Sequence, residues 1–209
     1  MARSDNRPRE GIRGLLASGD FLRLWAIGGT VNAMRWVEML AAALFTLDVT
    51  GSGMDVAFVS AARSLPLLFF GALAGVLSDS IDRKSILLGG QLLSGASAAA
   101  VCVLGLLGVA TAWHVGIAAF VSGSVWSTEM STRRRMVGES AGPAYVSRAV
   151  ALDSLTNACT RGAGPIIGSL AYAWMGLAGA FAISGTVYLL AALLVPGLKH
   201  SQESAACSS

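Results

Sequence analysis

The stretch Gly75-Val-Leu-Ser-Asp-Ser-Ile-Asp-Arg-Lys84 decides the fold, because it places a charged turn between two long apolar segments. Residues 56–77 lead into this turn, and residues 85–107 lead away from it. Each segment has at least the roughly 20 residues that an α-helix needs to cross a bilayer. The charged residues between them are crowded into a turn that is too short to be a domain. We therefore interpret the stretch as a water-facing hairpin between two transmembrane helices.

The composition of the whole chain indicates an integral membrane protein. Of its 209 residues, 54% are hydrophobic and 13% are charged, and the mean hydropathy is +0.64. Soluble domains carry about 25% charged residues, so a single soluble core of this composition would leave much of its apolar surface in water. Residues 85–128 contain no Asp, Glu, Lys or Arg, which is enough chain for two helical spans. The sequence therefore predicts an all-α membrane fold.

Turn signals divide the chain into six predicted spans. We place a polar, basic segment at residues 1–20, a transmembrane domain at 21–198 and a short tail at 199–209. Within the domain, glycine-rich or charged stretches separate the apolar segments. The predicted spans are 21–47, 54–77, 85–107, 113–131, 145–174, and a last one that follows the turn at 176–179 and ends near Pro196.

Lys and Arg residues fall almost entirely on one side of this predicted topology. The positive-inside rule assigns the side that is richer in Lys and Arg to the cytoplasm. Both termini are therefore predicted to be cytoplasmic. The cations on that side are Arg3, Arg7, Arg9, Arg13, Arg23, Arg83, Lys84, Arg133, Arg134, Arg135, Arg148 and Lys199.

The remaining three arginines, Arg35, Arg63 and Arg161, lie near the middle of predicted spans. An arginine at the centre of an isolated span costs at least about 3 kcal/mol, so it normally faces a partner or a wet cavity. Glu38 follows Arg35 by three residues, within reach of an ion pair on one helix. In the fifth span, Asp153 lies two turns before Arg161 on the same polar stripe.

Two interpretations of these charges remain open. In the first, they line a water-filled cavity of helices one, two, four and five and contact a solute or protons. In the second, Arg35–Glu38 and Asp153–Arg161 are internal ion pairs that fix helix packing, and Glu129 and Arg133 are likewise structural. Under the first interpretation, the predicted pathway residues are Asn32, Arg35, Glu38, Arg63, Asn157 and Arg161.

No group of residues predicts an enzyme, a metal site or a bound cofactor. His114 and His200 are far apart and the three cysteines are scattered, which gives no ligand or nucleophile spacing. A phosphate-binding loop that ends in Lys-Ser or Lys-Thr is also missing, which argues against ATP-driven transport by this chain. The run of Arg133–Arg135 beside a membrane helix is typical of topology and lipid headgroups, not of nucleic-acid binding. Membrane lipid and a small-molecule substrate are the predicted partners.

The hairpin and the fifth span also carry recognisable motifs. Gly75-x-Leu-x-Asp79-x-x-Asp-Arg83-Lys84 resembles the signature loop between helices two and three of the major facilitator superfamily. Asn157-x-x-x-Arg161-Gly-x-Gly-Pro165-x-x-Gly168 resembles the Gly-Pro motif of its drug and siderophore exporters. Three shorter motifs resemble the exporter branch that includes enterobactin efflux proteins: Phe21-x-Arg-Leu-Trp25, Thr50-Gly-Ser52 and Ala62-Arg-x-x-Pro66.

The resemblance implies a fold, a function and two further groups of residues. The fold is the six-helix N-terminal half of such a transporter, itself a 3+3 repeat, in the inner (plasma) membrane. The function is proton-coupled efflux of a small molecule, with Glu38 as the proton carrier and Asp79 as a latch between helix ends. Ser80 and Arg35 depart from the family pattern. The implied gating loop comprises Gly75, Asp79, Asp82, Arg83 and Lys84, and the helix-five motif comprises Gly162, Gly164, Pro165 and Gly168.

The six predicted spans are half of the twelve that the family has. The two halves of such a transporter are parallel repeats, so a six-span unit can rebuild the cavity by pairing with a second unit. We therefore predict a half-size transporter that acts as a homodimer or beside a second half. The alternative is a non-transporting membrane partner or regulator, or a truncated and inactive half.

Overall fold

Five α-helices account for nearly all of the residues that the computed structural model describes, which are 19–80, 82–141 and 145–197. No strand occurs among these residues, so the all-α fold class is confirmed. The predicted N-terminal segment, apart from its last two residues, and the predicted tail lie outside the described residues. The helices are α1 (Gly19–Thr50), α2 (Gly53–Ser80), α3 (Arg83–Leu106), α4 (Ala112–Ala141) and α5 (Val146–Leu194), and a 3-10 turn (Val195–Gly197) follows.

Glycine and an aspartate cap define the short turns between the helices. Gly51 and Gly108, which follow α1 and α3, have φ angles of 64° and 69°. Only glycine adopts this left-handed region without steric cost, so both positions end a helix and turn the chain. At the start of α3, the Asp82 carboxylate accepts a hydrogen bond from the Ser85 backbone N–H at 3.2 Å. The signature-like loop thus contains an N-cap for the next helix.

A break at Gly176 divides α5 into two arms. Gly176 has φ 64° and ψ −168°, which is incompatible with a continuous helix. The first arm runs parallel to α1, because Thr156 contacts Trp25 and Gly168 contacts Val37. The second arm runs antiparallel to α3, because Leu189 packs near Gly95 and Ala178 packs near Gly105. The chain therefore reverses its direction at the predicted turn, and six helical stretches result.

The most extensive packing joins α1 to α5, followed by α2 to α4 and α3 to α5. Glycines bring α1 and α5 close together. A Cβ on Gly168 would lie 2.9 Å from the Cα and 3.0 Å from the carbonyl oxygen of Val37. Gly164 faces Trp36 in the same way, whereas Gly162 has open space around it. Of the predicted helix-five motif, Gly164 and Gly168 therefore form the contact with α1, as small residues do between membrane helices.

The helix boundaries agree with the predicted spans except at the end of the fourth. That span was predicted to stop before Arg133–Arg135, but α4 continues to Ala141. The predicted loop at residues 138–143 is wrong over 138–141, since these residues extend the helix by one turn. Among the described residues, Lys84–Leu106 and Val146–Leu194 are long and apolar enough to cross a membrane. Six spans with both termini in the cytoplasm stay a prediction.

Candidate functional site

A polar cavity of about 410 Å³ lies between α1, α3, α4 and α5. It is near the end of the bundle at which α1 begins, α4 ends and α5 begins. Such a volume falls within the range of small-molecule sites in proteins. The polar side chains that line it are Asn32, Arg35, Gln91, Glu129, Arg133, Ser154, Asn157 and Arg161. The structure thus brings four of the six predicted pathway residues to one cavity.

The centre of the cavity wall is a buried ion pair between Arg35 and Glu129. Arg35 on α1 donates from Nη2 to Oε2 of Glu129 on α4, and their residues are 7% and 4% exposed. Gln91 on α3 donates to the other carboxylate oxygen of Glu129 at 2.5 Å. The predicted Arg35–Glu38 pair is therefore wrong. The two side chains are three residues apart on α1 and meet different neighbours, and Glu129 directly faces Arg35.

A second ion pair closes the end of the cavity. Arg133 on α4 donates to both oxygens of Asp153 on α5, with N–O distances of 2.6 and 3.3 Å. Asn157 also donates to Asp153, at 3.1 Å. The predicted Asp153–Arg161 pair is wrong, because eight residues of helix separate the two backbones by about 12 Å. The pairing of Asp153 with Arg133 instead ties α4 to α5.

Arg161 lies against an aromatic ring instead of a carboxylate. Its guanidinium carbon is 5.5 Å from the centre of the Trp36 ring, a cation–π geometry. Asn32, one turn before Trp36, donates to the Thr160 hydroxyl at 2.5 Å. Nearer the start of α1, Trp25 donates to the Thr156 hydroxyl at 2.9 Å. These contacts make a polar seam along α1 and α5. Within that seam, the Arg161 side chain is exposed at the cavity wall.

Glu38 and Arg63 belong to a separate, smaller site between α1, α2, α3, α4 and the second arm of α5. They line a cavity of about 20 Å³, which is about the space of one water molecule. Ser122 and Tyr188 lie beside the Glu38 carboxyl. Neither hydroxyl makes a hydrogen bond of ordinary geometry within the described part of the chain. The two remaining pathway residues therefore form a polar pocket of their own, deeper in the bundle than the large cavity.

The implied gating loop is only partly described. Gly75 and Asp79 lie in the last turns of α2, and the side chains of Asp79 and Arg83 are outside the described part of the chain. Asp82 caps α3, and Ser85 completes the cap by donating its hydroxyl to the same carboxylate at 3.2 Å. Lys84 is half-buried in the first turn of α3. The role of Asp79 as a latch stays a prediction.

Three residues of these sites escaped the sequence reasoning. Gln91 is a polar residue within the long charge-free segment, and its position there was an available signal. Tyr188 lies in apolar surroundings in the sequence, where an aromatic residue has no distinguishing pattern, whereas Trp36 directly follows Arg35, which was an available signal. Their roles depend on the helices that face them.

A helical bundle with ion pairs buried around an interior cavity is typical of a membrane transport protein. The comparison with known families agrees with that class. The chain belongs to the transmembrane secretion effector family of the major facilitator superfamily, whose sequence model matches residues 15–206. The predicted superfamily and its exporter branch are thereby confirmed.

Curated relatives lie in the same superfamily and are longer. The chain is 24% identical to an uncharacterized MFS-type transporter, YfiS, of Bacillus subtilis over 90% of this chain and 42% of that protein. It is 32% identical to the multidrug efflux pump Tap of Mycolicibacterium fortuitum over 55% of this chain and 29% of that protein. Macrolide efflux protein A of Streptococcus pyogenes is 31% identical over 48% of this chain and 25% of that protein. The chain thus spans less than half the length of these relatives. No solved structure matches it.

Proposed function

We propose that the chain is one six-helix unit of a secondary transporter that exports a small molecule through the cavity between α1, α3, α4 and α5. The observation that carries this proposal is the 410 Å³ cavity, whose polar wall includes the buried Arg35–Glu129 pair. Buried ionisable residues in membrane segments mark solute or ion pathways. The names of two relatives, a multidrug efflux pump and a macrolide efflux protein, support export as the direction.

Export is tested in a host that lacks its own drug exporters. We expect cells with the chain to accumulate less of at least one compound from a panel of a macrolide antibiotic, ethidium and carboxyfluorescein. The matched variants are Glu129→Gln, which removes one charge of the buried pair, and Asp55→Asn, which changes a carboxylate at the start of α2. The proposal would be contradicted if cells with and without the chain accumulated every compound equally. This holds only when the second six-helix unit that the chain needs is also present in the cells.

The transporter works with a second six-helix unit. Arg161 and Ser154 are exposed although they line the cavity, so one side of the site lacks a wall within the described residues. The halves of major facilitator transporters are parallel repeats, and a second unit of the same kind fits that open side. A second copy, a separate chain or a further part of a longer chain can supply it.

Crosslinking tests the homodimer form of this arrangement. A single cysteine replaces Ser154 in a chain without Cys102, Cys159 and Cys207. We expect a crosslinked dimer in membranes, whereas a cysteine at Leu193, on the exposed surface of the second arm of α5, gives little product. Monomers alone, under conditions in which the chain transports, would contradict the homodimer.

Proton coupling is assigned to the smaller site. Glu38 is a buried carboxylate beside Arg63, in a cavity with room for one water molecule. A water there can connect the carboxyl with the Ser122 or Tyr188 hydroxyl. We expect Glu38→Gln to abolish the dependence of transport on a pH gradient in proteoliposomes, while Asp55→Asn keeps it. Unchanged pH dependence in Glu38→Gln would remove Glu38 from the pathway.

The location and orientation of the chain are part of the proposal. We place six spans in the plasma membrane with both termini of the chain in the cytoplasm, since Arg and Lys residues cluster on that side. In this orientation the large cavity lies toward the cytoplasm, from which an exporter collects its substrate. Cysteine labelling from outside the cell is expected at residue 109, between α3 and α4, and not at residue 145.

A non-transporting membrane partner is the second candidate function. Its support is that Glu129 and Asp153 are both fully engaged in ion pairs, as in a purely structural network. The accumulation assay separates the two candidates. A passive partner gives no change in accumulation by itself, and it changes the accumulation caused by another transporter in the same membrane.

A further inference from the structure

We infer that the cavity between α1, α3, α4 and α5 selects small anions that carry a flat apolar group, and that Arg161 and Trp36 recognise them. The inference rests on the proposed function only in taking this cavity as the substrate site. It follows from the balance of donors and acceptors on the cavity wall.

The carboxylates at the cavity have no free oxygen. Glu129 accepts from Arg35 at one oxygen and from Gln91 at the other. Asp153 accepts from Arg133 at both oxygens, and one of these also accepts from Asn157. A cationic ligand would have to compete with these donors, which are arginines at three of the four oxygens. Breaking a buried ion pair is costly, because it leaves an unpaired charge out of water.

The cations of the same wall outnumber the carboxylates. Arg35 and Arg133 are each paired, whereas Arg161 has no carboxylate or other hydrogen-bond acceptor among the described residues. With both pairs counted as neutral, Arg161 leaves the wall with one positive charge. The charged groups that face the cavity are Arg35, Glu129, Arg133 and Arg161, with Asp153 behind Arg133.

The contact with Trp36 leaves the donor edge of Arg161 available. A contact with the ring face at 5.5 Å supplies no lone-pair acceptor, so the N–H groups at the edge of the planar guanidinium fork stay available. That fork matches a carboxylate or phosphate with two parallel hydrogen bonds. Trp36 also lines the cavity, together with Leu24, Ile27 and Trp126. An anionic group on Arg161 therefore has an apolar and aromatic surface beside it for the rest of the ligand.

The anion has two conceivable sources, a small molecule in the cavity and the phosphate of a lipid headgroup. We commit to the small molecule, because Arg161 lies near the middle of the first arm of α5 and lines the cavity away from the ends of that arm. Lipid headgroups lie at the membrane surface, beyond the ends of the helices.

Equilibrium dialysis with the full chain in phosphatidylcholine nanodiscs tests the selectivity. The probes are 2-naphthoate, 2-naphthamide and a 2-naphthyl trimethylammonium salt, which share one ring system and differ in charge. Empty nanodiscs correct for partition into lipid. We expect the carboxylate to bind at least about tenfold more tightly than the amide, which is the usual effect of one charge-assisted hydrogen-bonded contact. The ammonium compound is expected to bind most weakly.

Variants locate the selectivity at Arg161. Arg161→Gln should remove the preference for the carboxylate over the amide, and Arg161→Lys should keep part of it. The control is Arg148→Gln, which changes an exposed arginine of the same helix that does not line the cavity. Trp36→Leu should weaken all three naphthyl probes together, because it removes the ring surface and not the charge.

Three results would overturn the inference. The first is equal or weaker binding of 2-naphthoate relative to the other two probes, including no binding of any of them. The second is a carboxylate preference that survives Arg161→Gln. The third is complete displacement of 2-naphthoate when phosphatidylglycerol is added to the nanodiscs, which would assign Arg161 to a lipid phosphate. Because binding is measured without transport, a negative result here would contradict the selectivity and would not contradict export. A negative transport assay would likewise leave the selectivity untouched.

Discussion

Arg35 on α1 and Glu129 on α4 form a buried ion pair, although 94 residues separate them in the chain. Gln91 on α3 holds the second oxygen of the same carboxylate. Three helices therefore meet at one charged group, close to the cavity that we propose as the substrate site. Removal of Arg35 or of Glu129 therefore leaves the charge of the other residue uncompensated in a region of low dielectric.

Removing either member of the Arg35–Glu129 pair is expected to destabilise the fold. Arg35→Met and Glu129→Leu should each cost about 3–5 kcal/mol, because each leaves the other charge buried and unpaired. The double variant should recover much of that loss, since two apolar residues leave no unpaired charge. Thermal unfolding in detergent, followed by tryptophan fluorescence, measures all three. Additive losses in the double variant would show that the two residues do not act as a pair.

The Arg133–Asp153 pair is expected to link α4 to α5. In a double-mutant cycle, Arg133→Gln and Asp153→Asn should show a coupling of about 1–3 kcal/mol, because the two form two hydrogen bonds in a largely buried position. Arg148→Gln, on the exposed side of α5, provides the control and should change stability by less than about 0.5 kcal/mol. A coupling near zero would contradict the assigned contact.

The helices of this chain could be predicted because apolar length and turn signals are local properties. The hairpin after α2 and the reversal at Gly176 were both recognised from short stretches of sequence. The end of α4 was misplaced because Arg133–Arg135 was taken as a stop. Arginine is a good helix former, and α4 continues with Arg133 paired to a neighbouring helix.

The partners of the charged residues could not be predicted in the same way. Spacing along one helix identifies neighbours on that helix, and it led to Glu38 as the partner of Arg35. The true partner depends on which face of α1 meets α4, which is decided by packing across the whole bundle. The same reason hides Tyr188, which lies in an apolar stretch near the end of α5 and is fully buried beside Glu38.

Gly168→Ala is expected to disturb the contact between α1 and α5. The added Cβ would lie 2.9 Å from the Val37 Cα, which is backbone and cannot move aside without shifting a helix. We expect a loss of about 1–3 kcal/mol, the usual cost of overpacking. Gly162→Ala is the matched control six residues earlier, with nothing within 4 Å of the new atom. It should stabilise the helix by about 0.5–1 kcal/mol, since alanine is the better helix former.

Gly176→Ala is expected to strain the reversal between the two arms of α5. Gly176 has φ 64° and ψ −168°, a region that is essentially restricted to glycine, and a residue with a Cβ pays about 1–3 kcal/mol there. Apart from its own local backbone, no atom of the described residues lies within 4 Å of the position that a Cβ would occupy, so the cost is conformational and not steric crowding. Gly176→Asn should cost as much as Gly176→Ala, because asparagine is tolerated at a ψ angle of about +45° and not at the ψ angle of −168° that Gly176 adopts. Thermal unfolding of both variants in detergent measures the loss relative to wild type. Equal stability of wild type and Gly176→Ala would contradict the positive φ angle assigned to Gly176.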